Sequence, residues 1–203
     1  MPRKRSEKQR LHEFAKQSGI LRVRDLATIG IHPENLRRLT AEGILTHAAR
    51  GVYYLADADI TENHTLAEVC KRVPGGVICL LSALRFHELT TQSPWDVWLA
   101  IDRKARKPCL EYPALRVARF SGPALTEGVE AHQIEGVTVK VFSPAKTVAD
   151  CFKYRNKVGL DVAMEALRDA WHDRRCTMNE LFKAAEICRV ANVMRPYLEM
   201  LVA

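Results

Sequence analysis

The chain has 203 residues, of which 47% are hydrophobic and 27% are charged, and its net charge is +7 at neutral pH. That composition is ordinary for a globular protein and argues against an intrinsically disordered chain. No run of about 18 apolar residues occurs, so no membrane-spanning helix is expected, and the N-terminus lacks the apolar segment of a signal peptide. The sequence therefore predicts a globular cytoplasmic protein.

The excess positive charge is concentrated near the N-terminus. Residues 1–55 hold 11 Lys and Arg against 5 Asp and Glu, whereas residues 56–203 hold 20 against 19. Because binding to phosphates requires clustered cations, we expect a nucleic-acid surface in the first quarter of the chain. Residues 1–5 form a basic arm there, which is either a solvated tail or an arm that reaches phosphates or the minor groove.

Six cysteines are present, but none forms a C-x-x-C pair or has the spacing of a zinc site. We expect them to be free thiols, most of them buried, in a reducing compartment. The chain also contains no P-loop and no G-x-G-x-x-G motif. The sequence therefore predicts neither a cofactor nor a metal site.

The N-terminal pattern predicts a helix, a short helix, another helix and a β-ribbon, in that order. Ser6 is a candidate N-cap of the first helix, and Gly30 ends the short one. Pro33 suits the first turn of the next helix, which Gly43 ends. Two β-rich runs flank the turn at Arg50-Gly51. This order is typical of a winged helix-turn-helix DNA-binding domain, predicted over residues 1–58.

The helix that follows Gly30 carries side chains suited to reading base edges, because Arg pairs with guanine and Asn with adenine. The predicted base-reading residues are His32, Asn35, Arg37 and Arg38. The predicted phosphate contacts are Arg22, Arg24, His47 and Arg50. The alternative is a solvated charged helix face. Agreement between the turn, the ribbon and the local charge favours DNA binding.

Residues 59–203 predict a second domain that mixes strands and helices. Strands are expected at 95–101 and 115–121, followed by a hairpin whose turn is Glu135-Gly136. A helical run then begins at Ser143-Pro144, an N-cap followed by proline in the first turn. Thr177 and Glu180 match a capping box. The predicted fold class is α+β: an N-terminal winged helix-turn-helix, then a mixed α+β domain that ends in helices.

Three blocks of sequence carry a family resemblance. The first is GILRVRDLATIGIHPENLRRLTAEGILTHAARGVYYL, the second PGGVICLLSALRFHEL and the third GVTVKVFSPAKTVADCFKYRNKVG. The third contains a Ser-Pro-x-x-Thr-x-x-Asp pattern at Ser143, Pro144, Thr147 and Asp150. In this order, over roughly residues 15–175, the blocks resemble the AbiEi-type antitoxin family of bacterial type IV toxin–antitoxin (abortive infection) systems.

The resemblance implies a function for each domain. The winged helix would bind inverted repeats in double-stranded promoter DNA and repress its own operon. The C-terminal domain would counteract a nucleotidyltransferase-like toxin without forming a stable complex with it. Two copies on an inverted repeat would require half-sites about one helical turn apart, near 34 Å, or a multiple. A stand-alone transcriptional regulator is the alternative within the same family.

An enzyme is the rival class. Asp96, Asp102 and Lys104 imitate part of a nuclease site, in which carboxylates bind Mg²⁺ and a lysine assists the attacking water. A charged loop after a strand explains the same residues without catalysis. His87, which follows Phe86, is expected to be a packing histidine rather than a catalytic one. No enzymatic activity is therefore predicted, and the nuclease remains the less favoured alternative.

A protein-interaction module is the third class. Its candidate anchors are Trp95, Trp98, Phe152, Tyr154 and Trp171. Tryptophan is buried on average, so core packing is favoured for this set. Basic candidates for a second binding surface are Lys140, Lys146, Lys153 and Arg155. Solvated side chains on helix or strand faces are the favoured alternative for these four.

Overall fold

The computed structural model describes residues 7–202, with the backbone alone described at Val202. The predicted basic arm at residues 1–5 and the predicted N-cap Ser6 lie outside these residues. The chain divides into two compact units. The first runs to Arg72 and includes Gln133–Thr138, and the second comprises Val73–His132 and the chain from Val139 onward. Each is described by itself.

The first unit contains the predicted order of helix, short helix, helix and ribbon. Its elements are α1 Glu7–Ser18, β1 Leu21–Arg22, a 3₁₀ helix over Val23–Ile29, α2 Glu34–Ala41, β2 Leu45–Ala49, β3 Val52–Leu55 and α3 His64–Arg72. The three strands form an antiparallel sheet in the order β1-β3-β2. The sheet and the helices share one apolar core.

That core follows from helical periodicity. Leu11 and Ala15, one turn apart on α1, are fully buried, and so are Leu36 and Leu39 on α2. Leu26 of the 3₁₀ helix packs in the same cluster. Burying a leucine side chain stabilises a fold by about 1.5–3 kcal/mol, so these contacts hold both helices against the sheet. Their polar faces are thereby left toward solvent.

The second unit is built on a mixed five-stranded sheet. Its elements are β4 Val77–Ile78, α4 Leu80–Phe86, β5 Val97–Asp102, β6 Leu115–Phe120, α5 Pro123–Thr126, β7 Val129–Ile134 and β8 Val137–Phe142, except that residues 133–138 at the β7–β8 turn are counted with the first unit. The strand order is β6-β5-β4-β8-β7. β5 and β6 run parallel, as do β4 and β8, whereas β4 and β5 are antiparallel. The predicted strands at 95–101 and 115–121 are therefore confirmed with small shifts at their ends.

A helical run completes the second unit, as predicted. It comprises α6 Pro144–Lys153, α7 Arg155–Val158, α8 Leu160–His172, α9 Met178–Ile187 and α10 Ala191–Val202. The Ser143 side chain accepts a hydrogen bond from the backbone N–H of Lys146, which confirms the predicted cap of α6. Thr177 and Glu180 form the predicted capping box of α9. The α+β fold class is confirmed.

Within residues 7–202, no helix is both long and apolar enough to cross a membrane. All six cysteines are free thiols. Four of them are buried, at positions 70, 79, 151 and 188. Cys176 is partly buried and Cys109 is exposed, so the expectation of burial holds for most of the set and not for Cys109.

Candidate nucleic-acid interface

The turn between the 3₁₀ helix and α2 presents the exposed face of α2 to solvent. Gly30 adopts a left-handed conformation with φ of 62°, which glycine tolerates without steric cost. Ile31 is buried directly after it, and this fixes the start of the next turn. Leu36 and Leu39 face the core, so Arg37 and Arg38 are left exposed on α2.

Three of the predicted DNA contacts are exposed arginines that carry no ion pair within residues 7–202. They are Arg24 on the 3₁₀ helix, Arg37 on α2 and Arg50 at the turn of the β2–β3 hairpin. The backbone N–H of Val23 donates to the carbonyl oxygen of Gly51 at 3.1 Å. This bond holds the hairpin turn beside the start of the 3₁₀ helix, so the backbones that carry Arg24 and Arg50 are close together.

Arg38 is also exposed, but a carboxylate accompanies it. Its Nε lies 3.8 Å from Glu42 Oε1, at the end of the same helix. Lys8 Nζ of α1 contacts the other oxygen of Glu42 at 2.6 Å. The hydrogen bond from Lys8 holds the pKa of Glu42 below its ordinary value. Glu42 thus joins the two helices, a role that the sequence analysis missed because its partner lies 34 positions away.

Arg22 is occupied by the fold. Its Nη2 lies 3.1 Å from Asp25 Oδ1, and its Nη1 donates to the carbonyl oxygen of Lys71. Lys71 Nζ contacts Asp25 as well, at 3.3 Å. Burial alone would raise the pKa of Asp25, but the hydrogen bonds from Arg22 and the charge of Lys71 outweigh it and lower that pKa. The guanidinium is therefore already paired, with a side chain only 20% exposed.

Asn35 and His32 also make internal contacts. Asn35 Nδ2 donates to Glu7 Oε2 at 3.0 Å and to the carbonyl oxygen of His32 at 3.3 Å. His32 Nδ1 accepts from the backbone N–H of Glu34 at 3.2 Å, which satisfies a donor in the first turn of α2. Because that bond uses Nδ1, Nε2 is the ring nitrogen of His32 left for another partner.

His47 is exposed on β2, and its ring centroid lies 4.8 Å from that of Tyr53 on β3. The contact fixes the imidazole on the surface of the hairpin. The eight predicted DNA contacts thus fall into two groups in the structure. Arg24, Arg37, Arg38, His32, His47 and Arg50 are exposed, whereas Arg22 and Asn35 are partly buried and hydrogen-bonded within the fold.

The structure does not bring the nuclease residues together. Asp96 directly precedes β5 and Asp102 is its last residue. Because a strand rises ~3.3 Å per residue, the backbones of these two residues lie about 20 Å apart. Asp96 pairs with Arg116 at 2.5 Å, and the Asp102 carboxylate accepts the backbone N–H of Lys104 at 2.7 Å. Among the described residues, no group of His, Cys, Asp and Glu is placed to hold a metal ion.

The Ser-Pro-x-x-Thr-x-x-Asp segment is structural rather than a surface. Thr147 donates from its hydroxyl to the carbonyl oxygen of Phe142 at 3.0 Å. Lys146, expected as part of a second binding surface, is 1% exposed and pairs with Asp150 at 2.5 Å. That expectation is wrong for Lys146, because its alkyl chain and ammonium lie between α6 and the aromatic rings of the core.

The aromatic candidates do not form one exposed patch. Trp98 is 6% exposed and Phe152 is fully buried, so both belong to the core. Trp95 is 99% exposed just before β5. Tyr154 and Trp171 are partly buried. Core packing therefore accounts for Trp98, Phe152 and Tyr154, whereas Trp95 is exposed.

Residues 9–56 match a family model described as "Transcriptional regulator, AbiEi antitoxin". This match confirms, over that segment, the resemblance stated from the sequence. The matched residues include all eight predicted DNA contacts. No curated protein matches the chain.

Among solved structures, the chain is similar to the crystal structure of the RV2827C protein from Mycobacterium tuberculosis. The TM-score is 0.60 at 14% sequence identity, and the match covers 94% of this chain and 80% of the other. At that identity the likeness concerns the fold, and it extends over both units.

Proposed function

We propose that this chain, whose residues 9–56 match the family of AbiEi antitoxin transcriptional regulators, represses transcription by binding double-stranded DNA in a sequence-specific manner. Residues 1–58 would form a winged helix-turn-helix, in which the 3₁₀ helix and α2 are the helix-turn-helix and the β2–β3 hairpin is the wing. The family description and the order of elements support this assignment.

The observation that carries the proposal is a set of exposed arginines that form no ion pair with a carboxylate within residues 7–202. Arg37 is exposed on the helix that would enter the major groove, Arg24 on the 3₁₀ helix before it and Arg50 at the hairpin turn after it. We assign base contacts to Arg37, Arg38, Asn35 and His32, and phosphate contacts to Arg24, Arg50 and His47. Arg22 would act mainly by positioning the 3₁₀ helix, since its guanidinium is held by Asp25.

We further propose an antitoxin role. The protein would bind inverted repeats upstream of its own gene, as a pair of copies with half-sites about 34 Å apart or a multiple of that distance. Residues 59–203 would form the domain that counteracts a nucleotidyltransferase-like toxin in the cytoplasm. The second candidate function is a stand-alone regulator. The family match ends at residue 56, before the second domain begins, and this favours the stand-alone regulator as a second candidate function.

The test is a binding titration of the full chain against the DNA upstream of its gene, with random duplex as competitor, at two salt concentrations. We expect competitor-resistant binding that is lost in Arg37→Ala. If about 5 phosphates are contacted, log Kobs should fall with log salt at a slope of about −4 to −5. Lys16→Ala, which removes an exposed cation from α1, is the matched control and should leave binding intact.

Two results would contradict the proposal. Weak binding at both salt concentrations would mean that the basic N-terminal unit serves another purpose. Equal affinity for upstream and random DNA would remove the repressor function and leave a non-specific binder. To separate the antitoxin from the stand-alone regulator, a neighbouring gene of nucleotidyltransferase type would be expressed with and without this chain, and cell growth would be measured.

A further inference from the structure

The loop after β5 carries an unusual density of positive charge. Arg103, Lys104, Arg106 and Lys107 lie within five consecutive residues, and all four are exposed. Within residues 7–202, none of them forms an ion pair with a carboxylate. Four unpaired cations this close repel one another, and this repulsion is relieved when a polyanion binds.

Arg119 on β6 holds this loop in a defined shape. Its Nη1 donates to the carbonyl oxygens of Arg103 at 2.8 Å and Ala105 at 2.9 Å, and more weakly to that of Asp102 at 3.3 Å. The carboxylate of Asp102 in turn accepts the backbone N–H of Lys104 at 2.7 Å. The loop backbone is therefore ordered before any ligand arrives, which lowers the entropic cost of binding.

The same arginine also lines a pocket of about 440 Å³ in the second unit. Lys153 at the end of α6 and Arg189 after α9 contribute two further exposed cations to the lining, and Glu186 contributes one carboxylate. Phe120 and Ile187 supply apolar lining. Because Arg119 belongs to both features, the pocket and the loop form one continuous basic surface.

We propose that this basic surface is a second nucleic-acid-binding site, which holds a phosphodiester backbone without reading its sequence. Its seven cations are Arg103, Lys104, Arg106, Lys107, Arg119, Lys153 and Arg189. They extend over more space than one phosphate occupies, and guanidinium groups match phosphate geometry through paired hydrogen bonds. The proposal stands whether or not the N-terminal unit binds an operator.

The surface fits a nucleic acid better than an acidic protein. Protein interfaces centre on aromatic or other large apolar anchors, and lysine is depleted in them. Residues 103–107, the basic part of this loop, expose four cations and one alanine, and Phe120 is only 4% exposed. The exposed aromatic ring of the loop, Tyr112, lies five positions beyond Lys107. Backbone binding needs no such anchor, since releasing counterions from phosphates supplies the driving force.

The test uses the full chain with Arg24→Ala, Arg37→Ala and Arg50→Ala together, which removes the three exposed N-terminal arginines that carry no ion pair within residues 7–202. Anisotropy would measure its binding to labelled random single-stranded and duplex oligonucleotides at about 50 and 200 mM salt. We expect residual, salt-dependent binding. A second variant adds four changes in the loop: Arg103→Gln, Lys104→Gln, Arg106→Gln and Lys107→Gln. These changes should weaken the residual binding at least tenfold and lower the magnitude of the slope of log Kobs against log salt by about 3.

The matched control carries the same loss of four charges at exposed positions elsewhere in the second unit, in the same background. These changes are Arg85→Gln, Arg168→Gln, Arg174→Gln and Arg195→Gln. The control should stay within about twofold of the parent, as expected for charges distant from the bound phosphates. Thermal melting would verify that both variants fold. A further variant, Lys153→Glu with Arg189→Glu, tests the pocket and should also lose binding.

Three outcomes would overturn the inference. One is absence of residual binding in the parent. Another is equal weakening in the loop variant and the control, because net charge alone would then explain the effect. The third is displacement of the oligonucleotide by polyglutamate at equal charge concentration, which would assign the surface to an acidic protein. Preference for the single-stranded or the duplex probe then identifies the form of nucleic acid.

Discussion

Lys146 and Asp150 form an ion pair in the core of the second unit, with 2.5 Å between Nζ and Oδ2 and side chains 2% and 0% exposed. The ammonium also lies 4.0 Å from the centroid of the Phe142 ring. Cys188 donates from its thiol to the other oxygen of Asp150 at 3.1 Å. Burial raises the pKa of Asp150, and the neighbouring Lys146 opposes that shift. The pair is thus satisfied internally and is tied to both α6 and the end of α9.

Removing one partner of this pair should destabilise the protein strongly. Lys146→Met leaves an uncompensated carboxylate in the core and should lower the free energy of unfolding by about 3–5 kcal/mol. Replacing both charges, in Lys146→Met with Asp150→Val, should cost less than the single change. Urea denaturation measures both. A single variant as stable as the wild type would mean that the pair contributes nothing to folding.

His87 should make the stability depend on pH near neutrality. Its Nε2 lies 2.7 Å from the carbonyl oxygen of Phe142, and burial lowers its pKa below the ordinary 6.5. The unfolded chain therefore takes up a proton at a higher pH than the folded one. The contribution of His87 is present above pH 6.5 and is lost as pH falls from there toward its lowered pKa.

The measurement for His87 compares urea unfolding of the wild type and of His87→Gln at about pH 7.5 and 5.5. Glutamine can still donate to the Phe142 carbonyl but does not titrate. The loss of stability on acidification should be smaller in the variant, with the other histidines contributing equally to both. An identical pH dependence would contradict a lowered pKa at this position.

Arg22 should affect folding more than DNA binding. Arg22→Gln removes the charged bonds to Asp25 and to the Lys71 carbonyl, at a cost of about 1.5–3 kcal/mol in the free energy of unfolding. Arg24→Gln, an exposed neighbour without such bonds, is the matched control and should be nearly neutral. Thermal or urea unfolding distinguishes them. If only DNA affinity changed in Arg22→Gln, the residue would be a phosphate contact after all.

Arg37 should determine sequence preference. Arg37→Ala is expected to lower affinity for the upstream DNA by about 1–3 kcal/mol and to relax the preference at one base position. Affinity for random duplex should change little, because the lost contact is to a base edge. Competition binding against a set of single-base operator variants measures this. An equal loss on random DNA would instead place Arg37 on a phosphate.

Arg50 should contribute affinity without specificity. It lies at the turn of the β2–β3 hairpin, where the tip of a wing reaches the backbone. Arg50→Ala should weaken binding to upstream and random duplex alike and lower the magnitude of the salt slope by about 1. Titrations at several salt concentrations provide the slope. An unchanged slope with altered base preference would reverse the roles assigned to Arg37 and Arg50.

Features that depend on residues close in sequence were predictable. The Ser143 cap and the Thr177–Glu180 box form as expected, because capping involves partners within one helical turn. The order of elements in the first unit followed from apolar spacing and from turn glycines such as Gly30. The family resemblance rested on the same local patterns, and it is confirmed over residues 9–56.

The availability of charged groups was decided by tertiary contacts. Arg22 and Arg37 look equivalent in the sequence, yet Asp25 and the Lys71 carbonyl occupy Arg22 while Arg37 is exposed without an ion pair in the described chain. Counting charge along the chain also missed the basic surface of the second unit. Residues 56–203 hold 20 cations and 19 acids, which nearly cancel in number but are not evenly distributed in space.

The sequence by itself determined the fold class, the helix caps, the ribbon turn and the N-terminal charge excess, because each depends on composition or on neighbours a few residues apart. Only the tertiary structure decided that Lys146 is buried, that the Lys71 carbonyl occupies Arg22, and that Arg119 holds the basic loop. Those facts depend on contacts between distant segments, and burial and pairing there determine whether a charge is structural or free to bind.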